Sequence, residues 1–569
     1  MSRPYAITMG GEAGYGIMSA GLTLAKIATR SGYQTFIYSE YPSIIRGGHN
    51  VTTVTISPDT IRSQYQYIDI LIALNQETID QHSEALAPGS AILYDSTKNI
   101  SIKKTKKQRR LFDIPLDTLA REIGGSIIMR NTVALGAVLA LLNGNIDILH
   151  TLIDEEFADK KPDIAEKNKR TATAGYRYVR QHYRNLIQPI LSPKKTRALP
   201  IVVNGNEATA LGAIAGGMQF TAIYPMTPTS NILHILAPLQ EKYQYIYEQP
   251  EDEIAAINMA IGASFAGARS MVATAGGGFC LMSEGYGLAA MIETPLVVIV
   301  GMRGGPATGL PTWTEQADLR FVLHAHQGDF PRIVLAAGDI EEAFELTAQA
   351  FYLADKYQTP VVLLVDKYLC ESTMSVPSFS INKKWLDRGK ILLKKKKNYE
   401  RYHLSRDGIS LRTIPGIGNY TIANSDEHDE MGFSKETACN RTAQMNKRMQ
   451  KLATCAAKDM AEPTLYGPKN ADVTIVSWGS NKGPILEAMR EHVHVNYLHL
   501  TWMNPFPKNV VKKILRNAKK IITVECSISG QLTGLIREQT GIEITNQLLK
   551  YTGRPFYPEE IQKMIQQSR

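Results

Sequence analysis

The sequence predicts a multidomain α/β protein, and three observations support that fold class. Its 569 residues suffice for about three to four domains of ordinary size. Short apolar runs of strand length alternate with helical segments along most of the chain. In the middle of the chain these runs are apolar throughout, which is typical of parallel strands covered by helices on both faces.

The first segment opens with an apolar strand at Tyr5–Met9, a glycine-rich turn at Gly10–Gly16 (GGEAGYG) and a helical stretch at Ile17–Ser31. Such a turn can bind a phosphate, because its glycines admit close backbone approach and the helix N-terminus attracts anions. A tight structural turn is an equally good interpretation. The spacing differs from the G-x-G-x-x-G fingerprint, which argues against a nicotinamide dehydrogenase.

Changes in residue composition and in the α/β pattern divide the chain into four parts. A charged, proline-bracketed stretch at 194–197 ends the first α/β segment, and small-residue helices and buried strands resume at Ile201. A long polar stretch then interrupts the pattern before a last α/β segment. We therefore predict the following division: a domain at 1–197, a second at 198–376, a linker region at 377–465 and a last domain at 466–569.

Composition excludes several classes of protein. The net charge of +9 comes largely from two short runs, at 103–110 and 394–397, whereas a nucleic-acid-binding face spreads further. Five widely spaced cysteines form no Cys-x-x-Cys pair, which disfavours a zinc site, a self-contained iron–sulfur site and a disulfide framework. The first residues lack a signal-peptide pattern, and the apolar stretches are too short to span a bilayer. We expect a soluble cytoplasmic protein that binds neither nucleic acid nor membrane.

Three segments of the second domain carry residues that are suited to catalysis or ligand binding. The prolines of Tyr224–Ser230 (YPMTPTS) hold Thr227 at a strand end, although a helix-capping turn explains the same pattern. Glu253 precedes a small-residue helix, where it either suits the helix dipole or binds a heterocycle nitrogen. Arg303 follows an apolar strand and precedes glycines, so it is either a surface arginine or a fork for a carboxylate.

Several long motifs, taken in order, resemble one family. The segments are YPMTPTS at 224–230, EDEIAAINMAIGASFAGA at 251–268, ATAGGGF at 273–279, MRGGPATGLPTWTEQADL at 302–319, EHDEMG at 427–432, NKRMQKL at 446–452, GQLTGLIREQTG at 530–541 and KYTGRPF at 550–556. They are similar to the α subunit of 2-oxoacid:ferredoxin oxidoreductases. The N-terminal GGEAGYGI and YPSIIRGGHN resemble that family's γ domain, fused here ahead of α.

The resemblance implies a fold and a reaction. The fold would be a Rossmann-like γ domain, a pyrimidine-binding domain of the thiamine diphosphate fold and a transketolase C-terminal-like domain. The reaction is the oxidative decarboxylation of a 2-oxoacid with thiamine diphosphate, which yields an acyl-CoA, CO2 and reduced ferredoxin. A separate β subunit would bind the diphosphate with Mg²⁺ and carry a [4Fe-4S] cluster, in an αβ or (αβ)2 assembly. This chain has no Gly-Asp-Gly motif and no cluster cysteines, as expected of an α chain.

The resemblance also implies roles for individual residues, and no metal ligand. Glu253 matches the glutamate that hydrogen-bonds the aminopyrimidine ring, and Arg303 matches the arginine that binds the 2-oxoacid carboxylate. The remaining assignments are Thr227 and Thr312 beside the substrate, Tyr224 and Pro225 beside the cofactor, and Gly14, Gly16, Arg46, Gly47 and Gly48 for coenzyme A or subunit docking.

The sequence alone leaves alternatives to this interpretation open. A non-oxidative, transketolase-like thiamine enzyme would mostly keep a diphosphate motif in the same chain. A non-catalytic assembly subunit would tolerate replacement of Glu253 or Arg303. The form YPMTPTS and the fusion of the γ domain to α favour 2-oxoglutarate over pyruvate as substrate. Arg303 does not distinguish the two, because it would bind the carboxylate group that both share.

Overall fold

The computed structural model describes residues 3–44, 47–102, 109–158, 162–194 and 199–568. Two compact units make up this part of the chain. Unit 1 comprises residues 1–203, 372–378 and 557–561, and unit 2 comprises 204–371, 379–556 and 562–569. The predicted boundary at 197/198 lies outside the described residues, and those at 376/377 and 465/466 stay predictions.

Unit 1 is built on one mixed, eight-stranded sheet with the order β6-β5-β4-β1-β3-β2-β14-β7. Its strands are β1 (Tyr5–Glu12), β2 (Gln34–Glu40), β3 (His49–Ser57), β4 (Ile68–Ala73), β5 (Leu86–Tyr94), β6 (Arg110–Asp113), β7 (Ile201–Asn204) and, from later in the chain, β14 (Thr373–Val376). Its helices are α1 (Ile17–Arg30), α2 (Gln76–His82), α3 (Leu116–Gly124), α4 (Arg130–Leu141), α5 (Ile146–Glu156) and α6 (Pro162–His182).

The glycine-rich turn of unit 1 is shorter than the sequence pattern suggests. Gly10 and Gly11 still belong to β1 and pair with Val51 and Asn50 of the antiparallel strand β3. A Cβ on Gly10 would meet the side chain of Thr78 at 2.7 Å, so strand packing explains this glycine. Only the last part of the motif, before the left-handed Gly16 at the start of α1, forms a turn.

The main sheet of unit 2 has the order β20-β12-β13-β11-β10-β8-β9. All its pairs are parallel except that of β12 with the edge strand β20. Its strands are β8 (Phe220–Ala222), β9 (Ile246–Glu248), β10 (Ser270–Ala275), β11 (Leu296–Met302), β12 (Ile333–Ala336), β13 (Pro360–Asp366) and β20 (Trp502–Asn504). The accompanying helices are α7 (Gly205–Ala215), α8 (Ser230–Leu236), α9 (Gln240–Tyr243), α10 (Glu253–Phe265), α11 (Gly276–Met291), α12 (Leu319–His324), α13 (Ile340–Tyr357) and α14 (Lys367–Glu371).

The predicted linker region has little regular structure of its own. It contains the short pair β15 (Ile391–Leu392) and β16 (Arg412–Thr413) and the long helix α15 (Ala438–Lys458). Lys447 and Lys451 of α15 form ion pairs of 2.5 and 2.7 Å with the fully buried Glu293, which follows α11. Because both lysines are buried as well, this contact fixes α15 against the end of α11.

A second sheet of unit 2 contains five strands in the order β17-β19-β18-β21-β22. The strands are β17 (Thr464–Tyr466), β18 (Val473–Trp478), β19 (Val495–Leu500), β21 (Ile521–Glu525) and β22 (Gln547–Leu549). The helices are α16 (Lys482–Ala488), α17 (Lys508–Asn517), α18 (Gln531–Thr540) and α19 (Pro558–Gln567), the last of which is divided between the two units. Apolar side chains from β11, β18 and α18 belong to one core.

No helix in the described ranges is both long enough and apolar enough to cross a bilayer. The five cysteines are all free thiols, of which Cys370, Cys455 and Cys526 are buried.

Candidate active site

The predicted site residues of unit 2 follow four neighbouring strands. Strands β11, β10, β8 and β9 are adjacent and parallel, so their carboxyl ends lie at one edge of the main sheet. Arg303 follows β11, a glycine turn follows β10, Tyr224–Ser230 follows β8, and Glu253 follows β9. In open parallel sheets this edge is where ligands bind.

The segment after β8 turns sharply against β11. Pro228 and Thr229 contact Gly301, where a Cβ would meet their side chains at 2.5–3.1 Å. The Nδ2 atom of Asn206 donates a hydrogen bond of 2.9 Å to the carbonyl of Pro228. Tyr224, which lies beyond the end of β8, is half-buried, and Pro225 is exposed. The segment is therefore fixed by its C-terminal half.

Arg303 binds this segment through the protein backbone. Its Nη1 atom donates a hydrogen bond of 2.7 Å to the main-chain oxygen of Thr227. Burial lowers the pKa of the guanidinium, and the negative charge of Asp318 partly compensates. The arginine therefore has both a fixed anchor and an acidic neighbour.

Glu253 is the first residue of α10 and is 2% exposed. The adjacent Asp252 caps the helix by accepting a hydrogen bond of 2.8 Å from the amide of Ala255, so Glu253 is not needed for capping. Its Oε1 atom is buried and has no hydrogen-bond partner among the described residues. Burial raises the pKa of the carboxyl, and the charge of Asp252 raises it further.

Two carboxyl groups converge on the first turn of α11. We call Gly276, Gly277 and Gly278 the glycine turn. A Cβ on Gly278 would overlap the carboxyl group of Glu253, and a Cβ on Gly276 would meet the carboxyl group of Asp318 at 2.5–2.9 Å. The Cβ position of Gly277, in contrast, faces open space. Glycine at the first and third positions thus makes room for the two acids.

The loop after Arg303 carries Thr312 and Asp318. The hydroxyl of Thr312 is buried and has no hydrogen-bond partner in the described part of the chain. A hydrogen bond of 2.8 Å from the amide of Leu310 to the carbonyl of Gly304 closes the loop on itself. Burial raises the pKa of Asp318 to about 6, although Arg303 lowers it.

Asp318 is the site residue that the sequence analysis missed. An aspartate directly before a helix, here α12, is typical of an N-cap. That interpretation hides any other role, and only the position of its carboxyl group beside Gly276, with its charge acting on Arg303, reveals one. The sequence does contain a signal in the three consecutive glycines after β10, which make room for bulky neighbours.

The glycine residues assigned to coenzyme A or docking lie in unit 1. The amide of Ala13 donates a hydrogen bond of 3.2 Å to the carbonyl of Gly48, so the two glycine-containing loops are in contact. Gly14 and Gly47 have positive φ and open Cβ positions, whereas Cβ atoms on Gly16 and Gly48 would meet neighbouring side chains. Arg46 lies outside the described residues. The assignment of these loops stays a prediction.

Among the described residues, one cluster of possible metal ligands occurs, and it lies in the predicted linker region. Glu400, His403 and Glu430 have ligand atoms within 4.8 Å of one another. The Nδ1 atom of His403 lies 2.9 Å from the carboxylate of Glu400 and 2.7 Å from that of Glu430. These are hydrogen-bond distances, so the carboxylates bind the imidazole itself.

Three family descriptions match successive parts of the chain. Residues 6–178 match pyruvate ferredoxin/flavodoxin oxidoreductase, and residues 211–448 match the thiamine diphosphate-binding domain of pyruvate flavodoxin/ferredoxin oxidoreductase. Residues 471–561 match core domain II of pyruvate:ferredoxin oxidoreductase. Together they cover most of the three predicted α/β domains, and the linker region up to residue 448.

Known proteins are similar over the full length. The 2-oxoacid:ferredoxin oxidoreductase subunit alpha of a Sulfolobus species is 34% identical, over 98% of this chain and 96% of that protein. The subunit alpha of 2-oxoacid:ferredoxin oxidoreductase 1 from Sulfurisphaera tokodaii has the same identity and coverage. A chain of 2-oxoglutarate:ferredoxin oxidoreductase from Magnetococcus marinus, solved with 2-oxoglutarate, coenzyme A and succinyl-CoA bound, is 32% identical with a TM-score of 0.93 and covers 100% of both chains. The predicted multidomain α/β fold class is thereby confirmed.

Proposed function

The chain belongs to the 2-oxoacid:ferredoxin oxidoreductase family as an α subunit, and from that membership we propose its reaction. With a partner β subunit it catalyses the coenzyme A-dependent oxidative decarboxylation of a 2-oxoacid. The products are an acyl-CoA, CO2 and two electrons, which pass singly through iron–sulfur clusters to ferredoxin. The γ-type domain is fused to the N-terminus of the α chain.

One observation carries this proposal: the unpaired Oε1 atom of Glu253 lies against the glycine turn. A buried carboxylate oxygen without a partner leaves a hydrogen bond unmade, and a ligand with an N–H group can make it. The aminopyrimidine ring of thiamine diphosphate has such a group and is flat enough to approach glycines closely. The open side of Gly277 leaves space for it, so these residues fit the cofactor.

Thiamine diphosphate, when bound, supplies the nucleophilic carbon and the electron sink that decarboxylation requires. Glu253 would donate a proton from its carboxyl group to a ring nitrogen and take it back, and its raised pKa makes this exchange near neutral pH easier. Arg303 offers the guanidinium atoms not bonded to Thr227 to the carboxylate of the 2-oxoacid. The unpaired hydroxyl of Thr312 donates to the same substrate. A carboxylate held in this way is oriented for loss of CO2.

The substrate that we propose is 2-oxoglutarate. Support comes from the related Magnetococcus marinus enzyme, which was solved with that 2-oxoacid bound and aligns with this chain from end to end. The relatives from Sulfolobus and Sulfurisphaera tokodaii carry the broader name 2-oxoacid:ferredoxin oxidoreductase, so pyruvate is the second substrate to test. Arg303 is compatible with either, because it binds the group that they share.

The partner β subunit covers an apolar face beside the glycine turn. Ile254 and Met259 of α10 and Leu281 of α11 are 49%, 39% and 51% exposed, although both helices are strongly apolar. Helices that are apolar all round are normally buried on every side. The partner supplies the Mg²⁺–diphosphate site and the cluster ligands, for which this chain has no motif. An αβ or (αβ)2 assembly meets these needs.

The remaining proposals concern the loops of unit 1, the cellular compartment and the two residues at the end of β8. The adjoining loops around Gly14 and Gly47 are proposed to contact coenzyme A or the docking partner, because both leave exposed backbone with positive φ. Free cysteines throughout the chain suit the reducing cytoplasm, where ferredoxins work. Tyr224 and Pro225, at the end of β8, are proposed to line the cofactor pocket.

The proposed reaction is tested by 2-oxoacid-dependent reduction of a viologen dye under anaerobic conditions. The chain is assayed alone and after co-expression with its β partner, with coenzyme A present or omitted. We expect activity only in the pair, only with coenzyme A, and with 2-oxoglutarate preferred to pyruvate. A pair that contains thiamine diphosphate and clusters but reduces no dye with any 2-oxoacid contradicts the proposal.

A further inference from the structure

Thr274 carries a buried hydroxyl on an otherwise apolar face of the main sheet. It lies in the last turn-ward part of β10 and is fully buried. Because side chains alternate along a strand, Thr274 shares a face with Val272, which belongs to the same apolar core as Ala256 and Phe279. Valine has the same branched shape as threonine and would fill this position without a polar atom. The packing of the sheet therefore does not explain the hydroxyl.

The Oγ1 atom of Thr274 makes no hydrogen bond to any residue that the structure describes. A buried hydroxyl without a partner lowers stability, and such groups are uncommon in folded proteins. Thr221 on the neighbouring strand β8 shows the usual arrangement, because its hydroxyl donates a hydrogen bond of 3.1 Å to the carbonyl of Met271. The unpaired hydroxyl of Thr274 thus indicates a role other than packing.

A second unpaired oxygen lies beside this hydroxyl. A Cβ on Gly278 would overlap both the Oγ1 atom of Thr274 and the Oε1 atom of Glu253, so the two oxygens border the same small space. Both are buried and without a hydrogen-bond partner in the described part of the chain. A hydroxyl can donate and a carboxylate oxygen can accept, so the two groups are complementary. Gly278 has no side chain between them, and a small rotation of either side chain brings them into contact.

We propose that Thr274 is a positioning residue for Glu253 and donates a hydrogen bond to its Oε1 atom. A carboxylate oxygen has two lone pairs, so Oε1 can bind the hydroxyl and a ring nitrogen at the same time. The hydroxyl fixes the orientation of the carboxyl group. It also stabilises the negative charge that remains on Glu253 once its proton has moved to the ring. This inference rests on the proposed function, in which Glu253 exchanges a proton with thiamine diphosphate.

Exchange of the C2 proton of bound thiamine diphosphate for deuterium tests the role of the hydroxyl. The αβ pair is loaded with the cofactor, mixed with D2O, quenched with acid after set times and analysed by proton NMR. We expect Thr274→Val to slow the exchange about 10- to 100-fold, the effect of removing one hydrogen bond to a charged group. Thr274→Ser keeps the hydroxyl and should stay close to the wild-type rate. An unchanged rate in Thr274→Val overturns the proposal, and so do equal losses in the two variants.

A matched control and a double variant separate positioning from general stability. Thr221→Val also removes a buried hydroxyl from this sheet, and it should leave the exchange rate unchanged. If Thr274 acts through Glu253, adding Thr274→Val to Glu253→Gln slows the exchange by less than about twofold further. Independent, multiplicative losses overturn the proposal, as does an equal loss in Thr221→Val.

A crystal structure of the wild-type αβ pair gives a readout that does not depend on activity. We expect the Oγ1 atom of Thr274 within about 3.2 Å of the carboxyl group of Glu253, with or without the cofactor. A separation beyond hydrogen-bond distance overturns the proposal, and that result is decisive even if Thr274→Val does not fold. If the wild-type pair reduces no dye with any 2-oxoacid, the proposed function fails, whereas this structure still decides whether Thr274 holds Glu253.

Discussion

The Nη1 atom of Arg303 donates a hydrogen bond of 2.7 Å to the main-chain oxygen of Thr227. This bond joins the segments that follow β11 and β8, which are 76 residues apart in the sequence. Gly301 allows the approach, because a side chain there would collide with Pro228 and Thr229. Thr227 was predicted to lie beside the substrate, and its carbonyl is the group that contacts the arginine. Thr227 therefore helps to orient Arg303 whether or not its hydroxyl touches a substrate.

Replacement of the arginine tests carboxylate recognition. In the αβ pair, Arg303→Ala is expected to raise the apparent KM about 10- to 100-fold for every 2-oxoacid, because a charge-assisted hydrogen bond to the substrate is lost. Initial rates of viologen reduction with 2-oxoglutarate and with pyruvate measure this effect. Arg516→Ala, at an exposed position on α17, is the control. An increase confined to one substrate contradicts carboxylate recognition and means that Arg303 binds the side chain of that 2-oxoacid.

Replacement of the glutamate tests proton exchange at the cofactor. Glu253→Gln is expected to lower turnover by about 10²- to 10⁴-fold, the usual contribution of a general acid or base. Dye reduction gives the rate, and the thiamine diphosphate content of the purified pair separates loss of catalysis from loss of cofactor. Glu251→Gln changes an exposed acid two residues away and serves as control. Near-normal turnover in Glu253→Gln rules out the proton-transfer role.

Much of the site was predictable because strands of a parallel sheet present their carboxyl ends at one edge. The sequence indicates β11 with its observed bounds and predicts a helix after Glu253, so Arg303 and Glu253 could be recognised as residues at strand and helix ends. That they lie on adjacent strands required the order β11-β10-β8-β9, which local patterns do not encode. The resemblance to a family supplied that information indirectly.

Two features escaped prediction for physical reasons. The interpretation of Gly10–Gly16 as one turn was too long, because Gly10 and Gly11 are needed for strand packing, which depends on the distant residues Thr78 and His49. Asp318 was not singled out, because an aspartate before a helix is typical of a cap, whereas the amide of Arg320 in that helix donates to the side chain of Gln531, more than 200 residues later. In both cases a contact distant in sequence determines what a residue does.

The charge of Asp318 predicts how substrate affinity depends on pH. Burial raises the pKa of Asp318 from 3.8 to about 6, so above that pH its carboxylate is charged and weakens the electrostatic attraction of Arg303 for the substrate carboxylate. Below pH 6 the carboxyl group is protonated and this effect ends. We expect the apparent KM for 2-oxoglutarate to be lower at pH 5.5 than at pH 7.5. Steady-state kinetics in overlapping buffers measure this difference.

The control for the pH dependence is Asp318→Asn, in which the difference should disappear. Glu315 and Cys280 also face this region, and burial raises the pKa of both. Glu315→Gln is therefore measured in parallel and should keep the difference. A KM that falls with increasing pH would contradict this effect of the Asp318 charge.

The glycine turn offers a pair of substitutions that differ only in what the new methyl group meets. A Cβ on Gly278 would overlap both the hydroxyl of Thr274 and the carboxyl group of Glu253, so Gly278→Ala must displace the glutamate. We expect the αβ pair of this variant to lose most of its thiamine diphosphate and at least about 10²-fold in turnover.

Gly277→Ala is the control, because its new methyl group meets no atom within 4 Å in this chain, and alanine is the better helix former by about 1 kcal/mol. The melting temperature of the α chain should therefore be unchanged or higher in Gly277→Ala and lower in Gly278→Ala, as differential scanning fluorimetry can measure. Full cofactor content and activity in Gly278→Ala would show that the carboxyl group of Glu253 does not need its place against the glycine turn, and the proposed contact with the cofactor would then be wrong.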